Sequence, residues 1–198
     1  DVGAQEEPAV AALADGGFVI AWRSLGQDGS SYGVYAQRYD ADGIAVGGEV
    51  LVNTRTSSNQ LEASVAGLAG GGYVVIWQSQ FQDGSGRGVY GQIFDASGSA
   101  VGAEFRVNET TTGDQDEASV AGLPDGGFVV TWTSSGQDGS GDGVYQRRFA
   151  ADGSPYVFTP GFVEDGAAVT IAPSLQLGDV DSATLAGATV AITDHVAG

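Results

Sequence analysis

Three aspartates are placed where a carboxylate can serve a cation. Asp28, Asp83 and Asp138 each sit in a Gly-rich QDGS segment, followed by Ser30, Ser85 and Ser140. Calcium takes about six to eight oxygen ligands, and Gly-rich loops let backbone carbonyls turn inward beside a carboxylate. Glu7, Glu62 and Glu117 recur at the same spacing and would add oxygens. The simpler reading is that Asp-Gly makes a turn and the Asp side chain caps backbone amides. One Asp per loop favours that reading. A second set lies near the C-terminus: Glu164, Asp179 and Asp181, where a D-x-D step brings two carboxylates together. Such charges repel one another unless a cation or solvent intervenes. A third set is aromatic. Trp22, Trp77 and Trp132 recur with Tyr35, Tyr90 and Tyr145. Exposed rings of this kind stack on sugars, and buried ones form a core; the Trp series reads as core, and the Tyr series is kept as a ligand-binding candidate.

Hydrolytic chemistry finds little footing. Gly29-Ser30-Ser31-Tyr32-Gly33 fits a G-x-S-x-G pattern, but it lies in a loop and its repeats do not keep it. A nucleophile elbow needs a strand-turn-helix setting. His195 is the only histidine, so neither a triad nor a multi-His zinc site is available. Paired carboxylates can cleave glycosides, but with 25 acidic residues such pairs arise by abundance alone. Asn108-Glu109-Thr110 is a glycosylation sequon.

These residues recur because the chain is a repeat. The Trp, Tyr, Asp and Glu series all step by 55 residues. Residues 60–95 and 115–150 align without gaps and agree at 23 of 36 positions, too many for chance. Each unit reads as four strands. The first is short, as in Ala63 to Leu68. A turn such as Ala14-Asp15-Gly16-Gly17 supplies the positive φ a tight hairpin needs. The second strand, Phe18 to Trp22, is apolar on both faces and so predicted to be buried on both. The QDGS loop leads to the third strand, Val34 to Tyr39. In the fourth, Val101, Ala103, Phe105 and Val107 alternate with polar or small residues, the pattern of a half-buried strand. No stretch has helical periodicity.

The predicted fold is therefore all-β: tandem four-stranded antiparallel units arranged like the blades of a β-propeller. Threefold β-trefoil-like closure and an open stack of sheets are the alternatives. Three repeats fill residues 1–155, at about 5–59, 60–114 and 115–155. Residues 156–198 form a second, shorter β segment without the Trp or GVY signatures. The third repeat lacks the VGxEFxVN fourth strand, as if the ends were excised or strands exchanged around a ring.

Composition removes whole classes of function. The net charge is -18, from 25 acidic and 7 basic residues, all of the latter Arg. Phosphate repels such a surface, which excludes nucleic acid as a partner. The absence of Cys excludes disulfides, thiol catalysis and Cys-based zinc sites. No apolar run approaches the roughly 20 residues of a membrane span. The 33 glycines have no three-residue period, which excludes collagen, and the Val, Ile and aromatic content argues against disorder. A start at Asp1 reads as a mature product or a fragment.

The ordered motifs DGGFVVxW, GQDGSGxGVY and VGxEFxVN resemble the tandem units of large secreted bacterial proteins of the RTX adhesin type. The tail, with Glu164-Asp165-Gly166 and Asp179 to Ser182, resembles the start of a bacterial cadherin-like, Ig-like repeat. The GGxGxDxUx nonapeptide of RTX β-rolls is absent, so its calcium mode is not carried over. The resemblance implies a secreted or surface-attached, calcium-stabilised segment, with Glu164 serving as cadherin linkers use a Glu. The expected function is non-enzymatic, structural and adhesive, with neighbouring repeats or copies of the chain as partners. Two other readings compete. One is a carbohydrate-binding module with up to three equivalent sites near the QDGS loops and Tyr35, Tyr90 and Tyr145, taking extracellular glycans. The other is a self-assembling filament whose missing strands come from neighbouring chains.

Overall fold

The computed structural model describes residues 3–156. The chain divides into two units, Asp1–Tyr156 and Val157–Gly198. The described residues are all-β and form three antiparallel meanders. Blade one contains β1 (Gln5–Ala12), β2 (Phe18–Leu25), β3 (Tyr32–Tyr39) and β4 (Ala45–Leu51). Blade two contains β5 (Gln60–Gly67), β6 (Tyr73–Gln80), β7 (Arg87–Phe94) and β8 (Ala100–Arg106). Blade three contains β9 (Gln115–Gly122), β10 (Phe128–Ser135) and β11 (Asp142–Phe149). Its fourth strand is represented, among the described residues, by a single bridge between Phe149 and Pro155.

The turns form where the sequence places Asp-Gly and Gly-Gly. At the first hairpin the Leu13 amide donates to the Gly17 carbonyl at 2.8 Å, and the Gly17 amide donates to Asp15 Oδ1 at 3.0 Å. Gly16 has φ 88°, which an L side chain rarely adopts. Arg38 on β3 closes the hairpin with an ion pair to Asp15, and Arg148 does the same with Asp125 in blade three.

The blades pack face on face, and each interface has the same grammar. Val19, Ala21, Val34 and Ala36 of blade one meet Tyr73, Val75, Trp77 and Phe94 of blade two. Val74, Ile76, Val89 and Ile93 of blade two meet Phe128, Val130, Trp132 and Phe149 of blade three. An aliphatic face thus always meets the aromatic face of the next blade. Side chains alternate along a strand, so blade two is covered on both sides, and β6 is buried along almost its whole length. The doubly apolar second strand has the predicted surroundings there. In the outer blades one face of it is bare: Phe18, Ile20 and Trp22 are only half-buried, and Val129 and Thr131 of β10 are half-buried and exposed. The arrangement is propeller-like and unclosed, and trefoil-like closure is not adopted.

The first strands run longer than the sequence predicts, from Gln5, Gln60 and Gln115 onward. A bulge after the second or third residue of each explains this. Glu7, Glu62 and Glu117 take φ of 53°, 50° and 51°, which interrupts the alternation while the ladder continues past it. The fourth strand is less buried than its pattern suggests. Gly102 takes φ 68° and the register shifts between Gly91 and Ile93, so Phe105 is half-buried while Val101 stays exposed.

The inner strands β1, β5 and β9 set the spacing of the blades. A β-carbon on Gly67 would fall under 3.0 Å from the Ala12 carbonyl, and one on Gly122 equally close to the Gly67 carbonyl. Glycine is thus required where one inner strand abuts the one before it. Gly67→Ala and Gly122→Ala are each expected to lose about 1–3 kcal/mol by overpacking. Gly70→Ala, with nothing within 4 Å of the new methyl, is expected to stay within about 0.5 kcal/mol. Urea unfolding of the three variants checks this.

Candidate functional site

Asp28, Asp83 and Asp138 serve their own loops. Each Oδ1 accepts the backbone amide two residues on, Ser30 at 3.0 Å, Ser85 at 3.2 Å and Ser140 at 3.0 Å. These are Asx turns. In Asp28 and Asp83 the other oxygen is turned inward. A β-carbon on Gly33 would lie 2.8 Å from Asp28 Oδ2, and one on Gly88 2.6 Å from Asp83 Oδ2. The glycines of the first two GVY motifs, Gly33 and Gly88, are therefore the space into which the loop carboxylate fits, whereas a β-carbon on Gly143 would meet the Tyr145 ring instead. The three aspartates stand in three different blades and are not brought together. Among the described residues no group of three or more His, Cys, Asp or Glu side chains is arranged to hold a metal ion. Glu164, Asp179, Asp181 and His195 lie outside the described residues.

Glu7 and Glu117 each come within electrostatic range of Glu62, because β5 lies between the inner strands β1 and β9 that carry them. Burial, followed by repulsion from Glu7, Asp116 and Glu117, holds the Glu62 carboxyl above the ordinary Glu value, and Arg87 offsets part of this. Arg23 ion-pairs with Glu6 at 2.6 Å and Glu7 at 3.0 Å in blade one. The Thr133 hydroxyl donates to Glu117 at 3.1 Å in blade three.

The Tyr series does not give three equivalent ligand sites. Tyr35 and Tyr90 are 6% and 7% exposed. Each lies across from a tryptophan on one side and is covered on the other by the fourth strand, where Tyr35 pairs with Leu51 and Tyr90 with Arg106. Burial pushes the Tyr90 phenol up to about 12, with Asp83 adding to it. Tyr35 and Tyr90, expected from the sequence as ligand-binding residues, thus lie buried within their blades. Tyr145 is half-exposed and stacks on Trp132 at 6.4 Å. The two rings line a cavity of about 230 Å³ with Glu109, Gln137, Gln146 and Arg147.

The tryptophans divide as well. Trp77 is fully buried and Trp132 is 6% exposed, as expected of a core. Trp22 differs because, among the described residues, no blade covers the aromatic face of blade one. On that face Phe18 stacks on Tyr39 at 4.9 Å, and Trp22 on Tyr35 at 6.5 Å. Ile20 lies between the two pairs along β2. A cavity of about 290 Å³ opens here, lined by Trp22, Ile20, Tyr39, Pro8, Gln5, Glu6 and Glu49. Gln5 is exposed, whereas its counterparts Gln60 and Gln115 are fully buried and donate to loop carbonyls of the preceding repeat, Ser57 and Thr112. The Glu49 carboxylate accepts from the Gln27 amide at 3.0 Å. Gln5, Trp22, Tyr39 and Glu49 thus form an aromatic floor with an amide and a carboxylate at its edge. Sequence reasoning passed over this set because each member looks like a core or turn residue.

No family model matches the chain, and no curated protein matches it. Solved structures similar to it include three glycan-active proteins. An endo-arabinase from Bacteroides thetaiotaomicron aligns at 15% identity and TM-score 0.46, over 83% of this chain and 58% of that one. A GH43 glycoside hydrolase engineered to display both endo-xylanase and exo-arabinofuranosidase activity aligns at 16% and 0.48, over 77% and 28%. An endo-1,4-β-xylanase from Bacteroides thetaiotaomicron aligns at 13% and 0.47, over 84% and 58%. The chain spans about half the length of these proteins, or less. Two expectations are corrected by these matches. The sequence alone points to a non-enzymatic, structural and adhesive segment, whereas the structures it is similar to are those of an endo-arabinase, a GH43 glycoside hydrolase and an endo-1,4-β-xylanase. Neither reading is retained.

The charge cluster on the inner strands gives a prediction. A carboxyl whose folded pKa is raised costs stability once it ionises, and that cost disappears as pH falls below the unfolded value. Glu62→Gln is therefore expected to raise the melting temperature near pH 8. The gain shrinks toward zero as pH falls through and below the ordinary Glu value of 4.5. Thermal melts of both proteins across that range check it, and a gain independent of pH would assign the effect to backbone strain instead.

Proposed function

We propose that the chain binds carbohydrate, with the bare aromatic face of blade one as the binding surface. The observation that carries this is the open floor of Trp22, Ile20 and Tyr39 edged by Gln5 and Glu49. A sugar ring presents C–H groups on its faces and hydroxyls around its rim. Aromatic rings take the faces, while amides and carboxylates take the hydroxyls. The cavity of about 290 Å³ matches the lower end of small-ligand sites. A net charge of -18 disfavours anionic sugars and selects neutral ones. The Trp132–Tyr145 cavity, with Glu109 and Gln137, offers a second, smaller version of the same chemistry on blade three. The secreted setting implied by the RTX-type resemblance suits such a ligand.

The test is titration calorimetry with neutral polysaccharides, arabinan and xylan among them. Trp22→Ala is expected to weaken binding at least about tenfold, a loss of about 1.4 kcal/mol. Trp22→Phe, which keeps a ring, is expected to lose less. Because Trp22 is only half-buried, the melting temperature should move little beside the affinity. Reducing-end release from the bound polysaccharide shows in the same samples whether binding leads to cleavage. Wild-type protein that takes up no neutral glycan, or a Trp22→Ala variant of unchanged affinity, overturns the proposal.

A further inference from the structure

We infer that Phe81 and Arg55 form a further carbohydrate contact, on the outer loops beside the middle blade. The inference rests on the carbohydrate reading but not on the blade-one face. It begins at one departure from the repeat. The loop between the second and third strands opens on Gly26 in blade one and Gly136 in blade three, with φ of 73° and 68°. Blade two has Phe81 at that repeat position, with φ 60°. All three loops close in the same way. The amides of Gly26, Phe81 and Gly136 donate to the carbonyls of Ser31, Gly86 and Gly141 at 2.7, 2.7 and 2.6 Å. The loop therefore demands left-handed backbone at this point, and a bulky side chain holds it under strain. Burial of the ring does not offset that strain. Phe81 is 59% exposed, the one exposed phenylalanine among the described residues.

The surroundings of Phe81 depart from the repeat with it. In blades one and three the carbonyl of the loop glycine accepts the amide three residues on, Gly29 at 3.2 Å and Gly139 at 3.1 Å. The Phe81 carbonyl accepts Arg55 Nη1 at 3.1 Å. Arg55 lies in the connection from β4 to β5, and Thr110 takes its place one repeat later. Arg55 Nε donates to Ser57 Oγ at 3.1 Å, so the guanidinium is fixed by two bonds, neither of which uses Nη2. The ion pairs among the described residues are made by Arg23, Arg38, Arg87, Arg147 and Arg148, not by Arg55. Glu104 on β8 ties the two segments together. Its Oε1 accepts the Gln82 amide at 2.5 Å, and its Oε2 accepts the Thr54 amide at 2.7 Å and the Thr54 hydroxyl at 2.9 Å. An exposed ring is thus held beside a fixed donor. The ring suits the C–H face of a neutral sugar, and Nη2 suits a hydroxyl at its rim. A pair fixed beforehand loses little freedom when a ligand arrives. Backbone strain that packing does not use collects at such contacts.

The experiment compares the full chain with its Phe81→Gly, Phe81→Tyr and Trp22→Ala variants, by titration calorimetry with xylan and arabinan and by thermal melts. Phe81→Gly removes the ring and gives the loop the residue its backbone favours. It is expected to bind at least about threefold more weakly than wild type and to melt no lower. Phe81→Tyr keeps a ring and is expected to keep its affinity within about twofold. Weaker binding by Phe81→Gly beside unchanged binding by Trp22→Ala would support this contact and remove the blade-one site. The reverse pattern overturns this inference and leaves the blade-one site standing. Wild-type protein that takes up neither polysaccharide overturns both. A Phe81→Gly variant that melts below wild type makes the ring a structural element and overturns the inference. So does a wild-type dimer, seen by sedimentation, that Phe81→Gly abolishes, since the ring then serves self-association.

Discussion

The closeness of three inner strands is the constraint on which the rest of the array depends. With Gly67 and Gly122 at the points of contact, β1, β5 and β9 stack backbone against backbone. That spacing lets Trp77 and Trp132 reach the aliphatic face of the preceding blade and fill it. It also brings Glu7 and Glu117 within range of Glu62, all three on bulges of positive φ. Non-Gly residues in that region carry strain of about 1–3 kcal/mol. Packing at the blade interfaces offsets the repulsion and the strain gathered along the inner strands.

Much of the fold was legible because its signals are local and repeated. Asp15-Gly16-Gly17 is a hairpin in any context, and the 55-residue step fixes the number of units. The surroundings of each copy were not legible, since they depend on neighbours that a strand does not encode. Trp22 and Trp77 stand in nearly the same local sequence, yet one is half-bare and the other sealed. Tyr35 and Tyr145 differ in the same way, because β4 covers the first and the described part of blade three has no such strand over the second. The bulges at Glu7, Glu62 and Glu117 were missed for a further reason: glutamate carries no propensity for positive φ, so nothing at those positions announces it.

The acidic residues acquire distinct roles in three dimensions. Asp15 and Asp125 hold hairpins against an arginine. Asp40 and Asp95 cap turns through amides two and four residues on. Asp28 and Asp83 cap their loops with one oxygen and fill the space beside a glycine with the other. Glu49 and Glu104 tie the fourth strand to Gln27 and Gln82 of the loop between the second and third strands. A composition that reads as uniformly negative is in large part a set of local ties between neighbouring turns and strands.

The residues that one blade turns toward the next also bear on which repeat tolerates tandem duplication. Blade one carries Ala12 at the repeat position of Gly67 and Gly122, so a tandem duplicate of it would collide with its own parent. Blade three carries Thr131 and Gln146, so a duplicate of it would bury polar groups between the two copies. Blade two alone combines a glycine on its inner strand with Ile76 and Gly91 on its outward face. Among the three described blades, a tandem copy of blade two, about residues 60–114, therefore meets neither obstacle.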